Sequence, residues 1–360
     1  MRSKLFVSLF LSLLFVLQPV AIAAMETDQY NLPPVPLADI GDEVSVYIED
    51  NLRTAVAKIN VEIARHQACL EAANTNKPDC SNAETEAFKL KSLRSNDAVA
   101  NELFKLLGDG NIFVSKIGKW MTSHEFTASP ARYKTDYAHS IYFAAPIDHA
   151  TIGPTVRLYD VEFGTDKLDH FFQQGYKYYQ LRNKAIAKGS APEQATAKAI
   201  EWGQMTERTY FGLLVSGVYS NADLYANYAG MKFYQGLTEP VSIGDRTRHF
   251  PVVLQNGAWA VNQDRMSESF LKPFISDHLN EAFNPSGYAF TIFSSVRRAV
   301  KKYGCPTWRQ PYPDLTSTDL AERSKALELW NGEDYGFTKR SRTVNLAETC
   351  FQTGTNEQEK

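Results

Sequence analysis

Cysteine is scarce in this 360-residue chain: only Cys69, Cys80, Cys305 and Cys350 occur, none in a Cys-x-x-Cys pair and none grouped with histidine. That argues against a structural zinc centre. Long apolar runs are missing outside the N-terminal segment, and with them any further membrane-spanning helix of about 20 residues. Strong charge of one sign is missing as well. The chain carries 38 basic and 41 acidic residues, a formal net charge of −3, which lacks the basic footprint of a nucleic-acid binder and argues against strong attraction to anionic lipid. No Gly-x-Ser-x-Gly elbow, phosphate loop or dinucleotide fingerprint is present, and no internal repeat or low-complexity block.

What is present begins with MRSK, an apolar LFVSLFLSLLFVL and the small residues Ala21-Ile22-Ala23. A positive start, an apolar core and small residues together read as a secretory signal peptide over 1–24, cleaved after Ala23 or Ala24. Gln18 and Pro19 end the apolar run short of a bilayer span, and no cysteine near the cleavage point is available for lipid attachment. Cleavage removes Arg2 and Lys4 and no acidic residue, leaving a net charge near −5. The expected protein is exported, to the periplasm or else secreted, with no transmembrane segment in its mature chain. The remaining length, about 336 residues, allows one large domain or two smaller ones. Export permits disulfides. Of the three pairings open to four cysteines, Cys69–Cys80 would close a short polar loop and Cys305–Cys350 would tie down the tail; these are favoured.

Residues 25–41, polar and marked by Pro33, Pro34 and Pro36, read as an extended leader. Val56, Ile59 and Ile63 recur at three- and four-residue spacing and predict a helix from Asp42 to Ala72. The loop AANTNKPDCSN interrupts it before helical character returns over Glu84–Leu107, so 42–107 is expected to be a helical hairpin. Between Gly108 and Gly164 helix signals are few. Ser140-Ile141-Tyr142-Phe143 and Val156-Arg157-Leu158-Tyr159 alternate as small strands or extended wall segments do, and a long segment of this kind often shapes a site. Three helices are predicted next: from Thr165 to near Gly189, from Pro192 to about Gly217, and from Ser220 to near Gly236. Gln255-Asn256-Gly257 predicts a hairpin turn within the irregular 240–263. Further helices are expected over FLKPFISDHLNEAF, from Ser286 to Tyr303, and over Thr318–Trp330. The fold class is therefore mainly α, a bundle-like helical domain with minor β and long irregular segments. It divides into signal peptide 1–24, leader 25–41, hairpin 42–107, a main helical domain 108–304 and a C-terminal extension 305–360.

The chemistry-bearing residues concentrate between Gly164 and Gly230. At 100° per residue, Leu168, Phe171, Phe172, Gly175 and Tyr179 form one apolar stripe, and Asp166, His170, Gln173 and Lys177 lie opposite. That polar side is either a solvated face or the wall of a cleft. Glu207 shares its side with Ile200, Gly203, Tyr210, Phe211, Leu214 and Val218. A carboxylate there is either paired with a lysine or arginine or protonated, because an unpaired buried charge is very costly. Asp223, Asn227, Gly230 and Tyr234 fall on one side of the third helix. Asp223 has a sufficient role in completing the cap begun by Ser220. Asn227 is unfavourable in mid-helix and asks for a partner, and Gly230 would let another backbone approach. Asp277 and Glu281, four apart, form a second acidic patch continued by Asn284.

The order Asp166-Lys167-x-x-His170, Glu207, Ser220-x-x-Asp223-x-x-x-Asn227-x-x-Gly230 resembles the pattern of VanZ-like proteins and of the small YfiM-type periplasmic lipoproteins, over about 65 residues of the 360. The resemblance implies a bacterial cell-envelope role and a polar cluster built from adjacent helices. VanZ-like proteins are membrane-embedded, whereas these helices carry Lys177, Arg182, Lys184 and Lys188.

Two functions follow as expectations. In one, the protein binds or acts on an envelope component, such as a lipid head group or a peptidoglycan fragment. If it is an enzyme, it is of a hydrolase type, with His170, Glu207 and Asp166 as the acid–base set and Lys167, Asp223 and Asn227 on the substrate. In the other, the same residues form a non-catalytic hydrogen-bond network that fixes helix packing. No cofactor is expected. A divalent metal would need Asp166 and His170, at i and i+4, to join Glu207 or Asp223, yet no Glu-x-x-His or His-Glu-x-x-His pattern occurs, and His124-Glu125 lacks a second histidine.

Overall fold

The spacing of Val44, Ile48, Leu52, Val56, Ile59 and Ile63 builds α1, Gly41–Glu71, and buries every one of those residues along a single face. A computed structural model describes residues 26–72, 80, 82–110, 114–144, 152–248, 250–266 and 270–352. The predicted signal peptide lies outside them. The protein is mainly α, with strands confined, among the described residues, to two-stranded antiparallel pairs.

Helical character returns after the loop as two helices, α2 (Ala83–Leu93) and α3 (Asn96–Leu107), where the sequence predicts one. Ser95 is extended between them, at a run of Ser-Asn-Asp whose short polar side chains favour helix starts. Both cysteine pairs are bridged as favoured, Cys69–Cys80 and Cys305–Cys350. α4 (Lys116–Ser123) follows, and then the hairpin β1 (Thr155–Leu158) and β2 (Val161–Gly164). The other alternating stretch, Ser140–Phe143, is no strand: Ile141–Ala144 makes a 3-10 turn.

Three central helices carry the polar residues. The first is α5 (Asp166–Asp169), a π-helical turn (His170–Gln174) and α6 (Gly175–Ala187) in one unbroken run. α7 (Pro192–Arg208) and α8 (Asn221–Gln235) pack beside it. α7 stops at Arg208 rather than near Gly217. Thr209 leaves the helical region, and the amides of Phe211 and Leu213 reach back to the carbonyls of Thr206 and Glu207 in widened turns. Gly217, at φ +77°, completes the exit. Tyr210 and Leu214 are therefore exposed instead of sharing the apolar side of Glu207. Gly230 does admit a backbone: a Cβ there would collide with the carbonyl oxygen of Phe171, and one at Gly175 would sit 2.6 Å from Gly230 Cα.

β3 (Val218–Tyr219) leads into α8. The pairs β4 (Val241–Ile243) with β5 (Arg246–Arg248) and β6 (Val252–Gln255) with β7 (Ala258–Val261) follow it. The predicted hairpin turn is present, with Asn256 and Gly257 both at positive φ as a primed turn requires. No helix forms over FLKPFISDHLNEAF; two 3-10 turns, Lys272–Phe274 and Asp277–Leu279, stand in its place. Pro273 removes one amide donor. Asn280 takes the Ala282 amide on its side chain, and Asn284 donates to the His278 carbonyl, so side chains compete for the bonds that a helix would use. β8 (Gly287–Tyr288) then pairs with β3, ahead of α9 (Phe290–Ala299), α10 (Cys305–Arg309), α11 (Ser317–Ala326) and α12 (Leu346–Cys350).

Two buried apolar clusters result. One joins α1 to the central helices through rings such as Phe171, Phe172, Phe233 and Phe274, each contributing about 1.5–3 kcal/mol when fully buried. The other gathers Tyr30, Tyr288, Trp308 and Leu346 around the second disulfide. The leader is extended, but residues 26–31 are buried, and the Tyr30 hydroxyl donates to the Val344 carbonyl at 2.8 Å. Leu279 belongs to the first cluster and Ala282 to the second, so Glu281 stands at their seam.

Two outcomes are expected. Gly230→Ala must displace the Phe171 carbonyl and should destabilise the protein by about 1–3 kcal/mol in urea unfolding. His278 is held below its ordinary pKa of 6.5 by burial. At lower pH the unfolded chain therefore takes up a proton that the folded chain refuses, and stability should fall as pH drops below 6.5. The contribution is read as the difference between wild-type and His278→Gln melting curves from about pH 7.5 to about pH 5, which should shift in favour of the variant as pH drops.

Candidate functional site

β2 ends at Gly164 and the chain turns at once into α5, which drives Lys167 into the interior; its side chain is 0% exposed. An isolated ammonium there would cost several kcal/mol in lost hydration. It is instead surrounded: Nζ lies 2.6 Å from Asp166 Oδ2, 2.6 Å from Asp223 Oδ1 and 2.7 Å from Glu281 Oε1. All three ammonium hydrogens thus go to carboxylates. Burial by itself would lower the Lys167 pKa, but Asp166, then Asp223 and Glu281, outweigh it and hold the value well above the usual range.

Asp223 links the two halves of the cluster. Its Oδ1 meets Lys167, and its Oδ2 lies 3.4 Å from His170 Nε2. Burial opposes its ionisation; His170 and Lys167 overcome that and keep its pKa below the ordinary value. Asp223 does not complete a capping box. Ser220 Oγ accepts the Asp223 amide at 3.1 Å, while the amide of Ser220 donates to Glu207 Oε2 at 3.2 Å, so Glu207 from α7 supplies the acid for that position. Asn227, one turn further along α8, places Oδ1 3.2 Å from His170 Nδ1. That nitrogen therefore carries the hydrogen, and Nε2 faces the carboxylates. The mid-helix asparagine has found its partner.

Glu207 is 1% exposed. No lysine or arginine bonds to it among the described residues: Oε2 takes only the Ser220 amide, and Oε1 has no hydrogen-bond partner. Burial, with Asp223 second, raises its pKa well above the ordinary carboxylate value, which favours the protonated form. Of the two alternatives for an acid on an apolar face, the protonated one fits.

All six sequence-predicted residues, Asp166, Lys167, His170, Glu207, Asp223 and Asn227, are therefore brought together. The solvated-face reading holds for Lys177 and fails for Asp166, which is 2% exposed. His170 keeps 20% of its side chain exposed, which makes it the route from solvent to the cluster. Two members were missed. The acidic patch of Asp277 and Glu281 divides: Asp277 bonds Arg323 at 2.7 Å, while Glu281 faces inward and also accepts from Ser220 Oγ at 2.8 Å. Its apolar neighbours Leu279 and Phe283 were the available signal. Glu26 lies in the leader, where no periodicity could show it. It accepts from the Tyr142 hydroxyl at 3.4 Å, and burial raises its pKa well above the usual value. Glu281 is raised too, again chiefly by burial.

Five acids thus surround one lysine and one histidine. Three of the cluster's own carboxylate oxygens, Asp166 Oδ1, Glu207 Oε1 and Glu281 Oε2, are buried without a hydrogen-bond partner, as is Tyr178 Oη. One ligand atom each from His170, Glu207 and Asp223 lie within 4.8 Å of one another, as do those from Glu26, Asp223 and Glu281. The arrangement can accept and donate protons between a histidine and a protonated acid, and it can hold a cation.

Comparison of the chain with family models, with curated proteins and with solved structures finds no match. Fold and site together define a mainly helical protein with a buried carboxylate cage around one lysine, opened to solvent at one histidine.

Removing that lysine leaves three buried carboxylates without their counter-charge. Lys167→Met should cost about 3–5 kcal/mol, read as a lowered urea midpoint.

Proposed function

We propose that this is an exported bacterial cell-envelope protein of bundle-like helical build, whose polar cluster binds or acts on an envelope component such as a lipid head group or a peptidoglycan fragment. Export is supported by the signal-peptide pattern and by two disulfides, bonds that persist in oxidising compartments. Among the described residues no helix is long and apolar enough to cross a membrane. The observation that carries the site reading is Glu207, fully buried with Oε1 unpartnered beside His170, the partly exposed histidine of the cluster. A buried acid with an unpartnered oxygen and no cationic partner is costly to keep for packing alone. If the site is catalytic, the reaction is a hydrolysis by acid–base chemistry, with His170 receiving a proton and Glu207 supplying one.

The packing reading suits the other half of the cluster. Lys167 joins α5, α8 and the Glu281 segment, and its hydrogens are fully used. The two halves are thus assigned different duties: Lys167 holds the helices together, and His170 with Glu207 works.

Separate His170→Ala and Glu207→Gln variants test this. Binding of vesicles of phosphatidylethanolamine and phosphatidylglycerol is measured in one arm, and binding or cleavage of muropeptides from purified sacculi in the other. The variants should lose about tenfold or more of the activity found with melting temperatures close to wild type. A large fall in stability without a separate functional loss overturns the site reading.

A further inference from the structure

We infer that the His170 end of the cluster is a divalent-cation site in which His170 Nε2 and one carboxylate oxygen each of Glu207 and Asp223 hold a first-row transition ion such as zinc or manganese. This rests on the reading of the cluster as a working site and names what occupies it.

The geometry points to an ion because each of the three side chains is oriented by a partner that leaves one donor atom turned inward. His170 is fixed through Nδ1 by Asn227 Oδ1, leaving Nε2. Asp223 gives Oδ1 to Lys167 and turns Oδ2 toward that nitrogen. Glu207 gives Oε2 to the Ser220 amide and keeps Oε1 unpartnered, on a side chain that is 1% exposed. Outer partners of this kind fix the direction and tautomer of ligands in metal sites generally. One donor atom from each of the three residues lies within 4.8 Å of the other two. An ion roughly 2.0–2.2 Å from each would fit after small side-chain shifts. Each ligand comes from a different helix, so the site is assembled only in the folded chain.

One imidazole with two carboxylates suits zinc, manganese or iron(II); magnesium and calcium prefer oxygen alone. The second group, Glu26, Asp223 and Glu281, is all oxygen, but it is already served by an ammonium: Lys167 Nζ bonds both Asp223 and Glu281. The unserved position is at His170, where the side chain reaches solvent and an ion can enter.

The test uses the mature exported chain, dialysed against zinc or manganese chloride and then against metal-free buffer. Metal is counted by mass spectrometry, and melting is followed with each ion and with magnesium and calcium. About one zinc or manganese per chain is expected, with a rise in melting temperature that magnesium and calcium do not give. Glu207→Gln and His170→Gln should bind the ion at least about tenfold more weakly, and Asn227→Ala, which removes only the outer partner, about 10–100-fold more weakly. Glu207→Gln keeps an acceptor for the Ser220 amide and should fold as wild type does. No retained ion and no melting shift in the wild-type chain overturns the proposal. Equal uptake by wild type and both ligand variants also overturns it, since the ion then sits elsewhere. If wild type takes up no ion while His170→Ala still loses vesicle or muropeptide binding, the cation falls and the site reading stands.

Discussion

Lys167 is the charge on which the interior depends. An ammonium with no exposed surface is tolerable only if every hydrogen meets a negative oxygen, and those oxygens come from Asp166 beside it, Asp223 on α8 and Glu281 in the segment between the two apolar clusters. Satisfying one lysine therefore sets the position of α8 against α5 and holds the Glu281 segment in place. The leader is held there as well, because the Glu281 amide donates to Gln29 Oε1 at 2.7 Å. Segments from across the chain converge on one nitrogen.

The cage holds more acid than Lys167 and His170 can neutralise. Burial answers part of this by raising the pKa values of Glu26, Glu207 and Glu281, which disfavours the charged form of each. The result is a divided cluster. Around Lys167 the three ammonium contacts are short, although Asp166 Oδ1 and Glu281 Oε2 stay unpartnered. Glu207 has no counter-charge bonded to it among the described residues, and beside it the protein touches solvent through His170. An incomplete network beside a partly exposed side chain leaves room for a ligand.

Close helix packing makes the division possible. Gly175 and Gly230 let α6 and α8 touch backbone to backbone, and the Phe171 carbonyl occupies the space that a side chain at Gly230 would need. The π-helical turn at His170–Gln174 lies at that crossing. It inserts a residue's worth of rotation between α5 and α6, so a uniform 100° step cannot relate Asp166 to Lys177. All four residues of α5 are buried whatever their phase, whereas Lys177 on α6, grouped with Asp166 by periodicity, is exposed.

Much was legible in the chain. The apolar period of α1, the central helices, the Asn256-Gly257 turn and the cysteine pairing all rest on local chemistry: side-chain spacing, cap residues, backbone freedom at glycine, and short loops between cysteines. The six residues Asp166, Lys167, His170, Glu207, Asp223 and Asn227, singled out by their order along the chain, do come together in one cluster. Tertiary structure decided the rest. It brought in Glu26 from a leader with no periodicity, turned Glu281 inward where Pro273, Asn280 and Asn284 prevent a helix, and ended α7 at Arg208. It also settled that Asp166, Asp223 and Glu281 meet the lysine while Glu207 does not. The physical reason is one of range. Periodicity and capping act over one or two helical turns, whereas charge compensation in a dry interior depends on which distant segments reach the same few ångströms.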